Sequence, residues 1–256
     1  MLLRDRLKAG ETLFTAWSGV PDSIIIELLA AQPFDAVTLD MQHGAHHEES
    51  VVRGVQPIIA AKKHALVRIP VGRFDMASRA LDFGAEAVIA PMINSVDDAC
   101  QFAAFMKYPP LGQRSWGPTF GLPRRGGNMA DWLAQSNERT VSFAMVETRA
   151  ALAVLDDILD TPGIDGIFLG PADFSIAWSN GASVNPRRDD MMGAVEDVAR
   201  RTRAKGKFAA IYLSDPADTA KLVSWGFQLF AFGQEGQLIA RGAEGLLTAA
   251  RGALKS

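Results

Sequence analysis

Eight short apolar runs punctuate the chain: LFTAW (13–17), DAVTLD (35–40), HALVRIP (64–70), EAVIAP (86–91), VSFAMVE (141–147), IDGIFLG (164–170), KFAAIYL (207–213) and FQLFAFG (227–233). They are too continuously apolar for a sheet with one face in water and fit strands covered on both faces. Between them the pattern predicts helices near 22–31, 50–61, 74–83, 95–106, 149–159, 189–204, 216–225 and 234–253, several opened by Asp or Ser as N-caps. Eight strand and helix pairs predict a (β/α)8 TIM barrel of class α/β, one domain over 1–256. The alternative is a doubly wound open sheet, but no GxGxxG follows the first strand and no GxxxxGK[ST] occurs. One Pro- and Gly-rich stretch, 108–132, breaks the rhythm before the fifth strand and reads as an irregular excursion serving as a lid or subunit contact.

Composition narrows the function classes. The chain is 48% hydrophobic and 21% charged, enough to bury one large core. Its 26 basic and 29 acidic residues, net charge −3, provide no broad basic field for nucleic acid. Cys100 is the only cysteine, which rules out an intramolecular disulfide and an all-cysteine zinc site. The amino terminus is charged from its fourth residue, unlike a signal peptide, and no segment reaches the roughly 20 apolar residues of a membrane span. A soluble, cytoplasmic protein is expected.

Parallel barrels carry their chemistry at the carboxyl ends of the strands. Asp40, Gln42 and His43 follow the second strand, Arg68 closes the third, Glu147 closes the fifth, and Gly170 to Asp173 follow the sixth. Glu147 and Asp173, two acids at neighbouring strand ends, suit a hard divalent cation that leaves positions for water and substrate. The bland alternative is that Glu147 complements a helix dipole and Asp173 caps a turn. HGAHH (43–47) invites a zinc reading, yet its spacing lacks the usual ligand pattern. His43 is better placed as a base, with Asp40 fixing its tautomer. Arg68, between apolar Val67 and Ile69, should face an anion or an acidic partner.

Together these residues resemble the class II, metal-dependent pyruvate aldolases of the HpcH/HpaI family, the group that includes 4-hydroxy-2-oxoheptanedioate aldolase and 2-dehydro-3-deoxyglucarate aldolase. The resemblance covers nearly the whole chain through LDMQHG (39–44), LVRIP (66–70), LDFGAEAVIAPM (81–92), YPPLGQRSWG (108–117), VETRAAL (146–152) and IDGIFLGPADFS (164–175). It implies that Glu147 and Asp173 ligate Mg²⁺, Mn²⁺ or Co²⁺, that Arg68 polarises the keto oxygen of pyruvate or hydroxypyruvate, and that His43, supported by Asp40, moves protons through a water. It further implies a carboxylate cradle around Gly170, Ala172 and Asp173, a pocket wall at Trp17, and Asp82 near the catalytic histidine across a subunit contact. The implied reaction is reversible aldol addition of the 2-oxo acid to an aldehyde, giving 4-hydroxy-2-oxo acids without a Schiff-base lysine. The implied assembly is a homohexamer, a trimer of dimers that exchange C-terminal helices, with 234–253 as the arm. Gln42 stands where many relatives have Glu, and Met145 where some have Gln. Two other readings are a citrate-lyase-like or malyl-CoA-lyase-like enzyme and a non-catalytic binder of 2-oxo acids.

Overall fold

The computed structural model describes residues 1–254. Eight parallel strands close into a barrel in chain order: β1 (Leu13–Ser18), β2 (Ala36–Asp40), β3 (His64–Arg68), β4 (Ala87–Ala90), β5 (Val141–Val146), β6 (Gly166–Leu169), β7 (Phe208–Tyr212) and β8 (Leu229–Phe232). β1 closes the ring, with Thr15 opposite Ala36 on one side and Leu13 opposite Leu229 on the other. All eight expected strands are present and the open sheet is excluded.

Side chains alternate along each strand, so each strand feeds two cores. Leu13, Leu66, Ile89, Phe143, Met145, Phe168 and Phe208 form the inner cluster, while Val37, Val67, Val88, Val146, Ile167 and Ile211 pack outward in the cluster that includes the helices. This two-sided burial is why the strands read as continuous apolar runs. A short helix that the sequence reading did not anticipate, Leu3–Lys8, places Leu3 and Leu7 in the inner cluster. The Leu3 N–H is bonded to Glu86, just before β4, so this helix plugs the amino-terminal end of the barrel.

Two other segments differ from expectation. The stretch 108–132 is not wholly irregular: it holds helix Gly121–Arg125 and the start of helix Met129–Arg139. Arg124 and Arg125 donate to the carbonyls of Phe83 and Gly84, fastening the stretch to the end of helix Asp75–Phe83. The helix expected over 149–159 is broken at Val154 into Arg149–Ala153 and Leu155–Asp160.

The last helix, Glu235–Ala253, leaves the barrel surface after its first turns. Leu238 packs against the core, but Ile239 is 69% and Leu246 76% exposed. The expected C-terminal arm, 234–253, lies within the described residues; only residues 255–256 fall outside them. Among the described residues no helix is long and apolar enough to cross a membrane.

Candidate active site

The inward register decides which side chains meet at the carboxyl end. Counting by twos from Leu13, Ala36, Leu66, Phe143 and Phe208 in the inner cluster reaches Trp17, Asp40, Arg68, Glu147 and Tyr212. All but Asp40 line a cavity of about 320 Å³, together with His43, Gly170, Ala172 and Asp173. Asp40 lies behind Arg68, bonded to it.

Glu147 is 2% exposed. One carboxylate oxygen, Oε1, accepts the Met92 N–H at 2.7 Å. Met92 itself sits at a φ of 55°, a left-handed conformation costly for a residue with a side chain. The other oxygen, Oε2, faces Gly170, where an added Cβ would lie 2.3 Å from it. Glycine is therefore required beside the carboxylate. Burial lifts the Glu147 carboxyl to about 7, against the Met92 hydrogen bond and with the like charge of Asp173 adding to the rise. Asp173 is the third residue of helix Pro171–Trp178, which is not among the helices expected from the sequence. Pro171 at its first position was the available signal. Exposed Ala172 and Asp173 present first-turn backbone N–H groups that have no acceptor within the helix.

Arg68 is clamped. Its Nε and Nη2 donate to the two oxygens of Asp40 at 2.8 and 2.7 Å, and its guanidinium lies 4.8 Å from the centre of the Trp17 ring. The Trp17 Nε1 also donates to Asp40, at 3.3 Å. Burial acts to raise the Asp40 carboxyl, but the hydrogen bonds and charge of Arg68 outweigh it and hold Asp40 below the ordinary carboxylate range. Arg68 Nη1 has no protein partner among the described residues. This geometry revises one expectation. Asp40 takes the backbone N–H groups of Gln42 (3.0 Å) and Gly44 (3.0 Å) and the side chain of Arg68, not the imidazole of His43, whose ring makes no hydrogen bond among the described residues. Asp40 therefore shapes the loop that carries His43 rather than fixing its tautomer.

The other candidates are scattered. His46 is buried and bonded to Ser18 and Ser50, while His47 caps helix Glu48–Ala60 by accepting the Ser50 N–H. Two of the three histidines of HGAHH are thus engaged separately, and the third, His43, alone of the three lines the cavity. Gln42 has a buried side-chain oxygen with no partner among the described residues. Asp82 lies on helix Asp75–Phe83, paired with Arg114 at 2.6 Å in a separate groove with Glu48, Arg79 and Trp116. Within one chain it does not reach the cavity. Sequence reasoning missed Glu235, which follows β8 and binds the turn after β1, although the same rule of carboxyl ends reaches it.

The model of the HpcH/HpaI aldolase/citrate lyase family matches residues 14–242. The chain belongs to this family. A 4-hydroxy-2-oxo-heptane-1,7-dioate aldolase of Salmonella dublin is 34% identical over 243 residues, 95% of this chain and 92% of its own. An HpcH/HpaI aldolase structure from Desulfitobacterium hafniense DCB-2 superposes with a TM-score of 0.87 at 25% identity, over 97% of this chain and 96% of that one. The structure of the citrate synthase SbnG does so at 0.86 and 26% identity, over 100% of this chain and 99% of that one. This HpcH/HpaI protein is an enzyme of the carbon–carbon lyase type.

Proposed function

We propose that this lyase works as a metal-dependent aldolase, adding pyruvate or hydroxypyruvate reversibly to an aldehyde to give a 4-hydroxy-2-oxo acid. The observation that carries the reading is one cavity holding the Glu147 and Asp173 carboxylates, the clamped Arg68 and a free imidazole at His43. The donor set fits a hard divalent cation such as Mg²⁺, Mn²⁺ or Co²⁺: both groups offer oxygen, and Gly170 keeps the space beside Glu147 Oε2 clear. Bound between Glu147 and Asp173, the ion would supply Lewis acidity to the carboxylate and keto oxygens of the 2-oxo acid.

The chain's own groups would do the rest. The first-turn N–H groups at Ala172 and Asp173 donate to the substrate carboxylate. Arg68, its plane fixed by Asp40 and Trp17, donates through Nη1 to the keto oxygen and stabilises the charge that develops there as C3 loses a proton. The His43 ring takes that proton, directly or through a water, and in the cleavage direction removes the proton of the 4-hydroxyl. Trp17 walls the cavity and meets Tyr212 edge to face at 5.5 Å. Among the described residues no lysine lines the cavity, in keeping with an enolate rather than a Schiff base.

The exposed apolar residues of Glu235–Ala253 support exchange of this helix between subunits of a hexamer, which is also where Asp82 would approach a neighbouring site. A cytoplasmic setting completes the reading. The deciding experiment is deuterium exchange at the pyruvate methyl together with aldol turnover of pyruvate and glycolaldehyde. EDTA should abolish both, Mn²⁺ should restore both, and borohydride with pyruvate should not label the protein. Full activity in EDTA with a trapped lysine would sink the proposal.

A further inference from the structure

Three turns at the top of the barrel are tied together by a carboxylate to which the mechanism above gives no task. Glu235 opens the last helix and is 8% exposed. It accepts the Ser18 hydroxyl at 2.7 Å, the Gly19 N–H at 3.0 and 3.1 Å to its two oxygens, and the Val20 N–H at 3.2 Å. Every donor belongs to the end of β1 or the turn that follows it. An ionised carboxylate has no proton to give, so the hydrogen of Ser18 goes to Glu235. The Ser18 oxygen must then accept from the Nε2–H of His46, 2.9 Å away. Burial holds His46 neutral, at about 4, which leaves its Nδ1 as an acceptor 3.1 Å from the Ser50 hydroxyl, whose one proton is shared between that nitrogen and the His47 carbonyl at 2.9 Å. The two turns also touch directly. The Ala45 N–H donates to the Gly19 carbonyl at 2.9 Å, and a Cβ on Gly44 would lie 2.9 Å from the Gly19 Cα.

His43 sits in the middle of the segment gripped this way. On one side Asp40 holds the N–H groups of Gln42 and Gly44; on the other, Ala45 and His46 are bonded to the turn that Glu235 secures. We propose that Glu235 is a positioning residue: by fixing the turn after β1 against residues 41–47, it sets where the His43 ring stands over the cavity. The start of the C-terminal helix and the base are thereby linked mechanically. What His43 does once placed rests on the aldolase reading, whereas the latch itself does not.

The test is Glu235→Ala beside Glu235→Gln, which keeps one acceptor oxygen. In Glu235→Ala, amide hydrogen exchange at 41–47 should rise about tenfold or more while β5 and β6 keep their protection. The rate of pyruvate methyl exchange should fall by about 10- to 100-fold, the scale of misplacing a catalytic group by about 1 Å. KM for pyruvate and Mn²⁺ affinity should stay within about twofold of wild type, because the elements bearing Glu147, Gly170 and Asp173 make no bond to the latch. Glu235→Gln should recover most of the rate. Should Glu235→Ala not fold, Ser18→Ala, which removes the hydroxyl's bonds to both Glu235 and His46 but leaves the Gly19 and Val20 N–H groups on Glu235, should show the same pattern more weakly. Unchanged amide exchange at 41–47, or a rate loss matched by an equal loss of metal affinity, overturns the inference. A wild type without methyl exchange refutes the aldolase reading, while the amide exchange still decides the latch.

Discussion

Replacing Glu147 by Gln should stabilise the metal-free protein at alkaline pH, though it removes a proposed metal ligand. The carboxyl has an ordinary value of 4.5 and is raised to about 7 in the fold, chiefly by burial. Between those values the folded chain holds a proton that the unfolded chain has released, so stability falls as pH rises through that window and the whole penalty applies above about 7. A rise of this size corresponds to about 3 kcal/mol against the folded state. Glutamine is neutral at every pH, has nearly the same shape, and keeps an oxygen for the Met92 N–H. In EDTA at pH 8.5 the variant should therefore melt roughly 5–10 °C above wild type, using the usual conversion for chains near this length. At pH 5, where the wild-type carboxyl is protonated too, the difference should shrink to within about 2 °C. Mn²⁺ at about 1,000 times its Kd at pH 8.5 should reverse the order, because such an excess adds about 4.1 kcal/mol to the protein that binds it, more than the penalty. Thermal unfolding by circular dichroism at the two pH values, with EDTA or Mn²⁺, is the assay. A Glu147→Gln variant that melts below wild type in EDTA at pH 8.5 would refute the argument that this carboxylate is buried at a cost which a cation relieves.

Arg68→Ala should lower the rate of methyl exchange by about 100-fold or more, as for loss of one charge-stabilising donor, and should also leave Asp40 buried without its partner. His43→Ala should slow exchange by about 10² to 10⁴-fold with Mn²⁺ and pyruvate affinity retained; loss of metal instead would reopen the histidine-ligand reading. Gly170→Ala, whose Cβ would meet Glu147 Oε2 at 2.3 Å, should weaken Mn²⁺ binding by at least about tenfold, and isothermal titration showing unchanged affinity would contradict the geometry. A chain ending at Gly233 should lose the native oligomer in light scattering and aggregate through uncovered apolar surface; a full-length protein that is a stable monomer at micromolar concentration would rule out the exchanged helix.

Much of this molecule was legible in its sequence because the barrel imposes two strong regularities. Strands buried on both faces leave unbroken apolar runs, and parallel strands with crossover helices gather their polar ends at one rim, so Arg68, Glu147 and Asp173 could be assembled from the sequence, while Trp17 entered only through the family resemblance. What stayed hidden depends on backbone conformation or on pairing between distant elements. Nothing in APM marks Met92 as left-handed or its N–H as the donor to Glu147. The partner of Asp40 was misread because His43 is three residues away in sequence, whereas Arg68, 28 residues on, is directly opposite in the β2 to β3 register. Glu235 looked like the first acid of an ordinary helix, and only the fold brings it to Ser18.

The inward register of the strands divides the chain into regions of unequal tolerance to change. Arg68 and Asp40 share one rung of the barrel, and Glu147 follows the last inward rung of β5. Deleting or inserting one residue within any of these strands would turn its acid or base outward into the aliphatic layer under the helices, where a lone charge is strongly disfavoured. No graded loss of function separates the native register from the shifted one. The loops above the rim, including 186–187 and 214–218, are under no such constraint and can change length while the reacting groups stay in place. Acceptor choice can therefore drift by insertion and deletion in these loops, while the proton and charge chemistry is confined to point substitutions.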